Sequence, residues 1–200
     1  MKGYLSFEQV VAMPKYSIKL AYNSLLPVNA RQPWATVIWD RLGVPKHRFI
    51  TWLAMLDRIN TKEKLMKIGV TDDNLCLLCG TAVENQNHLF FRCEYSSKCW
   101  DNVSKWLGIA PAISDLHRLI HWVQKRKISK FRKGVTITGI LCTVYHIWKE
   151  RNNALWNAQI RRVDKVCDTI QKTIHNRIST VLPRVVSTRD HSWFLALVTW

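Results

Sequence analysis

Apolar residues recur at helical spacing through most of the chain. Ile18, Ala21, Tyr22 and Leu25 fall at i, i+3, i+4 and i+7 behind Ser17, a residue type that caps helix starts, and predict a short amphipathic helix ended before Pro27. Trp34, Ile38 and Trp39 predict one helical turn or two, and Pro45 breaks that run before a new helix. Phe49, Trp52, Leu53 and Leu56 continue the pattern, with Arg48 and Arg58 on the polar side. Thr61 then reads as the N-cap of a shorter helix holding Leu65 and Ile68, with Gly69 as its stop.

Further along, Trp100 and Val103 with Trp106 or Leu107 make one face of a helix that stops at Gly108. Leu116, Leu119, Ile120 and Val123 mark another, opening after Ser114 and running straight into the basic block KRKISKFRK at 125–133. Beyond Gly134 two longer stripes appear. Ile137, Ile140, Leu141, Val144, Ile147 and Trp148 form the first; Val163, Val166, Cys167, Ile170, Ile174 and Val181 form the second. Each has one apolar face that it cannot bury alone, which predicts an antiparallel helical hairpin. The closing HSWFLALVTW is apolar and unassigned, with strand, helix and exposed tail all open.

Composition sharpens this picture. With 48% apolar residues, 200 residues can bury a core, and the ten tryptophans go mostly to packing. The formal net charge is +16 and points to a polyanionic partner. The charge is uneven: residues 1–110 carry 14 basic and 9 acidic side chains, net +5, and residues 111–200 carry 16 and 5, net +11. The start MKGYLSFEQVVAM lacks the clean apolar block of a secretory signal. The apolar run at 134–148 is shorter than the roughly twenty residues a membrane span needs, so no membrane partner is expected. The expected setting is intracellular, nuclear or cytoplasmic, where closely spaced cysteines favour metal over disulfides.

The chemistry-bearing stretch is CLLCGTAVENQNHLFFRC, from Cys76 to Cys93. Cys76, Cys79, His88 and Cys93 offer three thiolates and one imidazole, a full tetrahedral set for one zinc. Four protein ligands leave no position for a reacting water, so the spacing predicts a structural ion rather than a catalytic one. Cys76 and Cys79 share one tight turn that Gly80 lets the backbone leave. The segment AVENQNHLFF reads as a helix presenting His88, with Cys93 just past its end.

Here the sequence resembles the zinc-binding domain that follows the reverse transcriptase in plant LINE-like (non-LTR) retrotransposons. The residues that carry the resemblance are YSIKLAYNSL, Trp34 with Val37, Ile38 and Trp39, VPKHRFITWLAMLDRINTKEKLMKIGV, CLLCG, ENQNHLFFRC and Trp100. IWKERNNALW, at 147–156, is similar to a stretch found downstream in such elements. The resemblance covers residues 16–107, and 135–157 more loosely. It implies zinc on Cys76, Cys79, His88 and Cys93.

A polymerase brings metal ions to the primer end with separated aspartates. Asp72-Asp73, the only such pair, lies in the loop leading to Cys76 and reads as solvated acid. No complete catalytic set is visible, so no enzyme is expected. Lys125, Arg126, Lys127, Lys130, Arg132 and Lys133 put six cations in nine residues and read as phosphate contacts to RNA or DNA, which Arg161 and Arg162 extend. Cys99, Cys142 and Cys167 read as core thiols. His47, His117, His121, His146, His175 and His191 have no Cys partner at metal spacing.

The expectation is a mainly α protein: a small zinc-stabilised helical domain with a short CxxC turn at 1–110, followed by a basic helical region with a hairpin at 111–200. Its expected role is a non-catalytic nucleic-acid-binding module from the C-terminal part of a retrotransposon reverse transcriptase protein, with a reverse transcriptase domain of the same or a parent polypeptide as a further partner. The alternative is a protein-interaction scaffold whose zinc is purely structural.

Overall fold

The structure, a computed structural model, describes residues 32–109, 115–183 and 185–197. The chain divides between Gln32 and Pro33, and everything below concerns the unit that begins at Pro33. The helix expected between Ser17 and Pro27 lies outside the described residues.

The described part is helical. A short α1, Ala35–Ile38, precedes α2, Pro45–Met55, whose first residue is a proline with φ already set for a helix. Helix α3, Lys62–Lys67, follows, and then the cysteine-bearing segment with a π-helical turn at His88–Arg92. Next come α4, Glu94–Leu107, and α5, Leu116–Lys125. The hairpin is α6, Lys130–Asn157, with α7, Val163–Thr180. The closing segment, left open by its sequence, forms α8, Thr188–Ala196.

Helix ends follow local chemistry. Gly108, at φ 64°, ends α4 as the Gly108 amide donates to Lys105 O and the Ile109 amide to Ser104 O, a Schellman pair that places Ile109 in the core. The Asp115 carboxylate caps α5 on the Arg118 amide at 2.8 Å, and the Ser129 hydroxyl caps α6 on the Arg132 amide at 3.1 Å. The α5 helix reaches the basic block and stops at its first residue, Lys125, and Ser129 starts a new helix inside the block.

Helix α6 is the axis of the unit and packs against α1, α2, α4, α5, α7 and the π turn. At 28 residues it is about 42 Å long, and its stretch from Val135 to Val144 is buried on every side. Neighbours press closest where it lacks a side chain. A Cβ on Gly139 would stand 2.7 Å from Leu107 Cδ1 of α4, and one on Gly134 would stand 2.6 Å from Leu42 Cδ1. Helix α7 lays Val166, Cys167, Ile170, Ile174 and Ile178 into the core, as its stripe predicts. Helix α8 closes over the far end: Phe194 meets Phe131 edge-on at 6.0 Å, and Trp106 Nε1 donates to Leu197 O at 2.6 Å.

The inward face of α2 differs from the one its apolar residues suggest. Its buried residues are His47, Thr51, Ala54 and Met55, while Phe49 is 49% exposed and stacks on Trp52 at 5.9 Å. Packing against α6 decides which side faces in, and the two aromatic rings shield one another outside it. No helix among the described residues is long and apolar enough to cross a membrane.

Candidate metal centre

The four predicted ligands meet. One donor atom from each of Cys76, Cys79, His88 and Cys93 lies within 4.8 Å of the others. Cys76 Sγ is 3.9 Å from Cys93 Sγ, and Cys79 Sγ is 3.3 Å from His88 Nε2. A tetrahedral zinc with ordinary Zn–S and Zn–N bonds spaces its donors roughly 3.3 to 3.8 Å apart, so the set fits the ion.

Local backbone builds this cage. Leu75 and Val83 form an antiparallel bridge, the Cys76 amide donates to Ala82 O at 2.8 Å, and the Gly80 amide donates to Cys76 O at 2.7 Å. Gly80 leaves the turn at φ 68°, a conformation other residues adopt only with strain. The segment AVENQNHLFF is therefore not helical throughout. Its first residues extend into the bridge, because Cys76 and Cys79 need a hairpin knuckle, and helix begins only at Gln86. The Asn85 side chain caps that start on the His88 amide at 2.8 Å.

Cys93 ends the π turn and is the N-cap of α4. The Cys76 thiol donates to it, and the amides of Ser96 and Tyr95 add to this against the cost of burial, so the Cys93 thiol is pushed down to about 5. The same hydrogen bond raises Cys76. Helix α4 also satisfies the carbonyls that the π turn leaves free: Ser96 Oγ donates to Leu89 O and Trp100 Nε1 to Phe90 O, both at 2.6 Å, while Trp100 stacks on Phe91 at 5.4 Å.

Residues with no metal-site signal in sequence hold the cage to the core. Glu84, next to the bridge, accepts from the Lys62 amide at 2.9 Å, the Leu77 amide at 3.3 Å and Arg151 Nε at 2.9 Å. Arg151 belongs to the IWKERNNALW stretch, and its guanidinium also lies over the Trp148 ring. Asp73 is not simply solvated acid. It accepts from the Lys62 ammonium and from the Leu75 amide, which holds its carboxyl below the ordinary range. It therefore braces the approach to Cys76.

The basic block is divided by use. Lys125, Lys127 and Lys130 are exposed, and Arg126 lies over the Trp122 ring at 4.8 Å. Arg132 instead pairs with Asp190 at 2.7 Å, and Lys133 donates to Gln124 O at 2.7 Å. Arg161 does not extend this surface, because its guanidinium binds the buried carboxylate of Glu150 at 2.6 Å. Cys99, Cys142 and Cys167 are buried, and the Cys167 thiol lies against Cys99 O. His117 Nε2 sits 3.1 Å from Met55 O. His47 and His146, unpartnered in sequence, are brought beside Cys142.

A closed Cys3His cage on a hairpin knuckle followed by a helix is a structural zinc-binding module. Residues 16–100 match the family described as zinc-binding in reverse transcriptase, so this part of the chain is a zinc-binding domain of the reverse-transcriptase type, an accessory domain distinct from the catalytic one. Comparison with curated proteins and with solved structures gave no match.

Proposed function

We propose that the chain is a non-catalytic nucleic-acid-binding module of a reverse transcriptase protein, in which zinc shapes the segment from Cys76 to Cys93 and the basic region 111–200 contacts phosphates of RNA or DNA. The observation that carries this reading is the turn between α5 and α6. It offers Lys125, Lys127 and Lys130 to solvent and holds the Arg126 guanidinium over Trp122, a pairing of cation and aromatic face suited to a single strand. The excess of eleven positive charges in residues 111–200 adds a long-range attraction for polyanions. Asp73, committed to Lys62 and Leu75, supports the non-catalytic part. The polymerase domain of the same or a parent polypeptide is the natural neighbour of such a module.

The test is a fluorescence-anisotropy titration on single-stranded RNA and duplex DNA at several salt concentrations. Log affinity falls with log salt at roughly 0.7 to 0.9 per phosphate contact. Replacing Lys125, Arg126, Lys127 and Lys130 with Ala flattens that slope and weakens binding to unrelated sequences alike; equal slopes for variant and wild type overturn the reading.

One observation favours the scaffold alternative. Met66, Ile68, Val70, Leu75 and Val83 all expose apolar side chains between α3 and the zinc knuckle. Retained polymerase binding with no nucleic-acid affinity at moderate salt selects that reading.

A further inference from the structure

Helices α2 and α6 pack together, and each turns a pair of residues four apart toward the core: His47 and Thr51 on α2, Cys142 and His146 on α6. Residues at this spacing stand one above the other on a helix face. All four are buried, the least so being His146 at 4% exposure. One donor atom from each of His47, Cys142 and His146 lies within 4.8 Å of the other two.

Packing alone accounts for Cys142, a small apolar side chain whose thiol reaches Ile170 O at 3.9 Å. It does not account for the imidazoles. Both ring nitrogens of His47 and Nδ1 of His146 are buried without a hydrogen-bond partner, as is the Thr51 hydroxyl. Buried polar groups are paired almost without exception, because an orphan loses its bonds to water and gains none in return. Two such histidines side by side, beside a thiol, are accounted for by an ion that takes their lone pairs.

We infer that His47, Cys142 and His146 form a second metal site, separate from the Cys3His cage, that takes one zinc ion. The donor set is two imidazoles and a thiol with no carboxylate, which suits zinc and excludes the oxygen-seeking magnesium and calcium. Bond lengths of about 2.0 to 2.3 Å require donors roughly 3.3 to 3.8 Å apart, so side-chain movements of about an ångström close the set. The rings are held for this. His47 stacks on Tyr145 at 4.2 Å and stands edge-on to His146 at 5.6 Å. A neutral imidazole has one lone pair to give, and no hydrogen-bond partner occupies either ring nitrogen of His47 or Nδ1 of His146. On binding, Cys142 loses its proton to solvent and donates as thiolate. A bound ion joins a helix of the zinc-binding domain to the central helix α6, across almost a hundred residues of sequence.

The experiment is metal analysis of the full chain purified from zinc-replete medium and dialysed, for wild type, Cys79→Ser, His146→Gln and Cys142→Ala. The expected counts are two zinc ions in wild type and one in each variant. Cobalt substitution adds a readout tied to ligand identity. The difference spectrum between wild type and His146→Gln should carry the thiolate charge-transfer intensity of one sulfur ligand, against three for the difference between wild type and a variant lacking the cage. A wild-type chain that holds one zinc, with no further ion taken up in zinc titration, overturns the inference whether or not any variant folds. So does a count of two that neither His146→Gln nor Cys142→Ala reduces while circular dichroism shows native helix content.

Discussion

The guanidinium of Arg151 meets the carboxylate of Glu84 across 67 positions of sequence, with both side chains sealed from water at 2% and 0% exposure. Glu84 lies within the segment matched to the reverse-transcriptase zinc-binding family, and Arg151 lies 51 residues beyond its end. The zinc cage is thus bolted to the middle helix of a larger unit. Glu84 also holds the first amide of α3 and an amide inside the CxxC turn, so one carboxylate gathers three elements.

Breaking such a pair from one side leaves a buried charge. Arg151→Met should lower the unfolding free energy by about 3 to 5 kcal/mol. The double variant Glu84→Gln with Arg151→Met should recover much of that loss, since glutamine keeps an acceptor for the Lys62 amide and leaves no charge behind. Urea unfolding of the two variants and wild type, all zinc-saturated, checks this; equal losses in single and double variants would refute it.

Cys79→Ser should remove the ion of the Cys3His cage and melt the segment from Leu75 to Cys93, because binding to a structural site is worth on the order of 10 kcal/mol. Cys99→Ser should leave that ion in place, since Cys99 faces Cys167 in the core rather than the cage. Elemental analysis with hydrogen exchange over this segment separates the two outcomes.

Gly139 sits where Leu107 presses on α6. Gly139→Val should destabilise by about 1 to 3 kcal/mol through overpacking, and adding Leu107→Ala should relieve part of it. Thermal unfolding of the single and double variants tests the contact, and strictly additive losses would show that the two side chains do not meet.

Acid should loosen α8 before the rest. The Ser129 hydroxyl and the Arg132 guanidinium hold the Asp190 carboxyl below its ordinary value of 3.8. A depressed native value means that the unfolded chain takes up the proton first. The contribution is therefore full above about pH 4 and is lost as pH falls through the native value. Protection of the Thr188–Ala196 amides from hydrogen exchange, taken relative to the intrinsic rate at each pH, should fall over that range in wild type, whereas Asp190→Asn should show lower protection already at neutral pH and little further acid dependence.

The purified chain should incorporate no nucleotides on a primed template, with or without Asp72→Ala. Asp73→Ala should instead lower stability, because it frees the buried Lys62 ammonium and the Leu75 amide. Template-dependent incorporation by wild type, lost on changing the pair, would show that these aspartates are catalytic.

Most of the helices and the whole Cys3His ligand set were legible in the amino-acid order, because both depend on short spacings. The Gly108 stop, the stripes of α6 and α7 and the C-x2-C and H-x4-C pairs are all local patterns. Where a local pattern competed with a neighbour, the sequence misled. Phe49 suggests the inner face of α2, yet α6 draws in His47 and Thr51; AVE suggests helix, yet the metal knuckle needs a bridge.

What the sequence determined by itself is the helical class, the zinc ligands and the sign and placement of charge. Tertiary structure alone decided that Glu84 reaches Arg151, that Arg161 is spent on Glu150, that Arg132 is spent on Asp190, and that His47 stands beside Cys142 and His146. These residues are brought together by the burial of α6 among its neighbours. A charged or imidazole side chain carries no mark in sequence of the partner that packing will bring to it, whereas a helix repeat or a chelating turn is complete within a few residues of backbone.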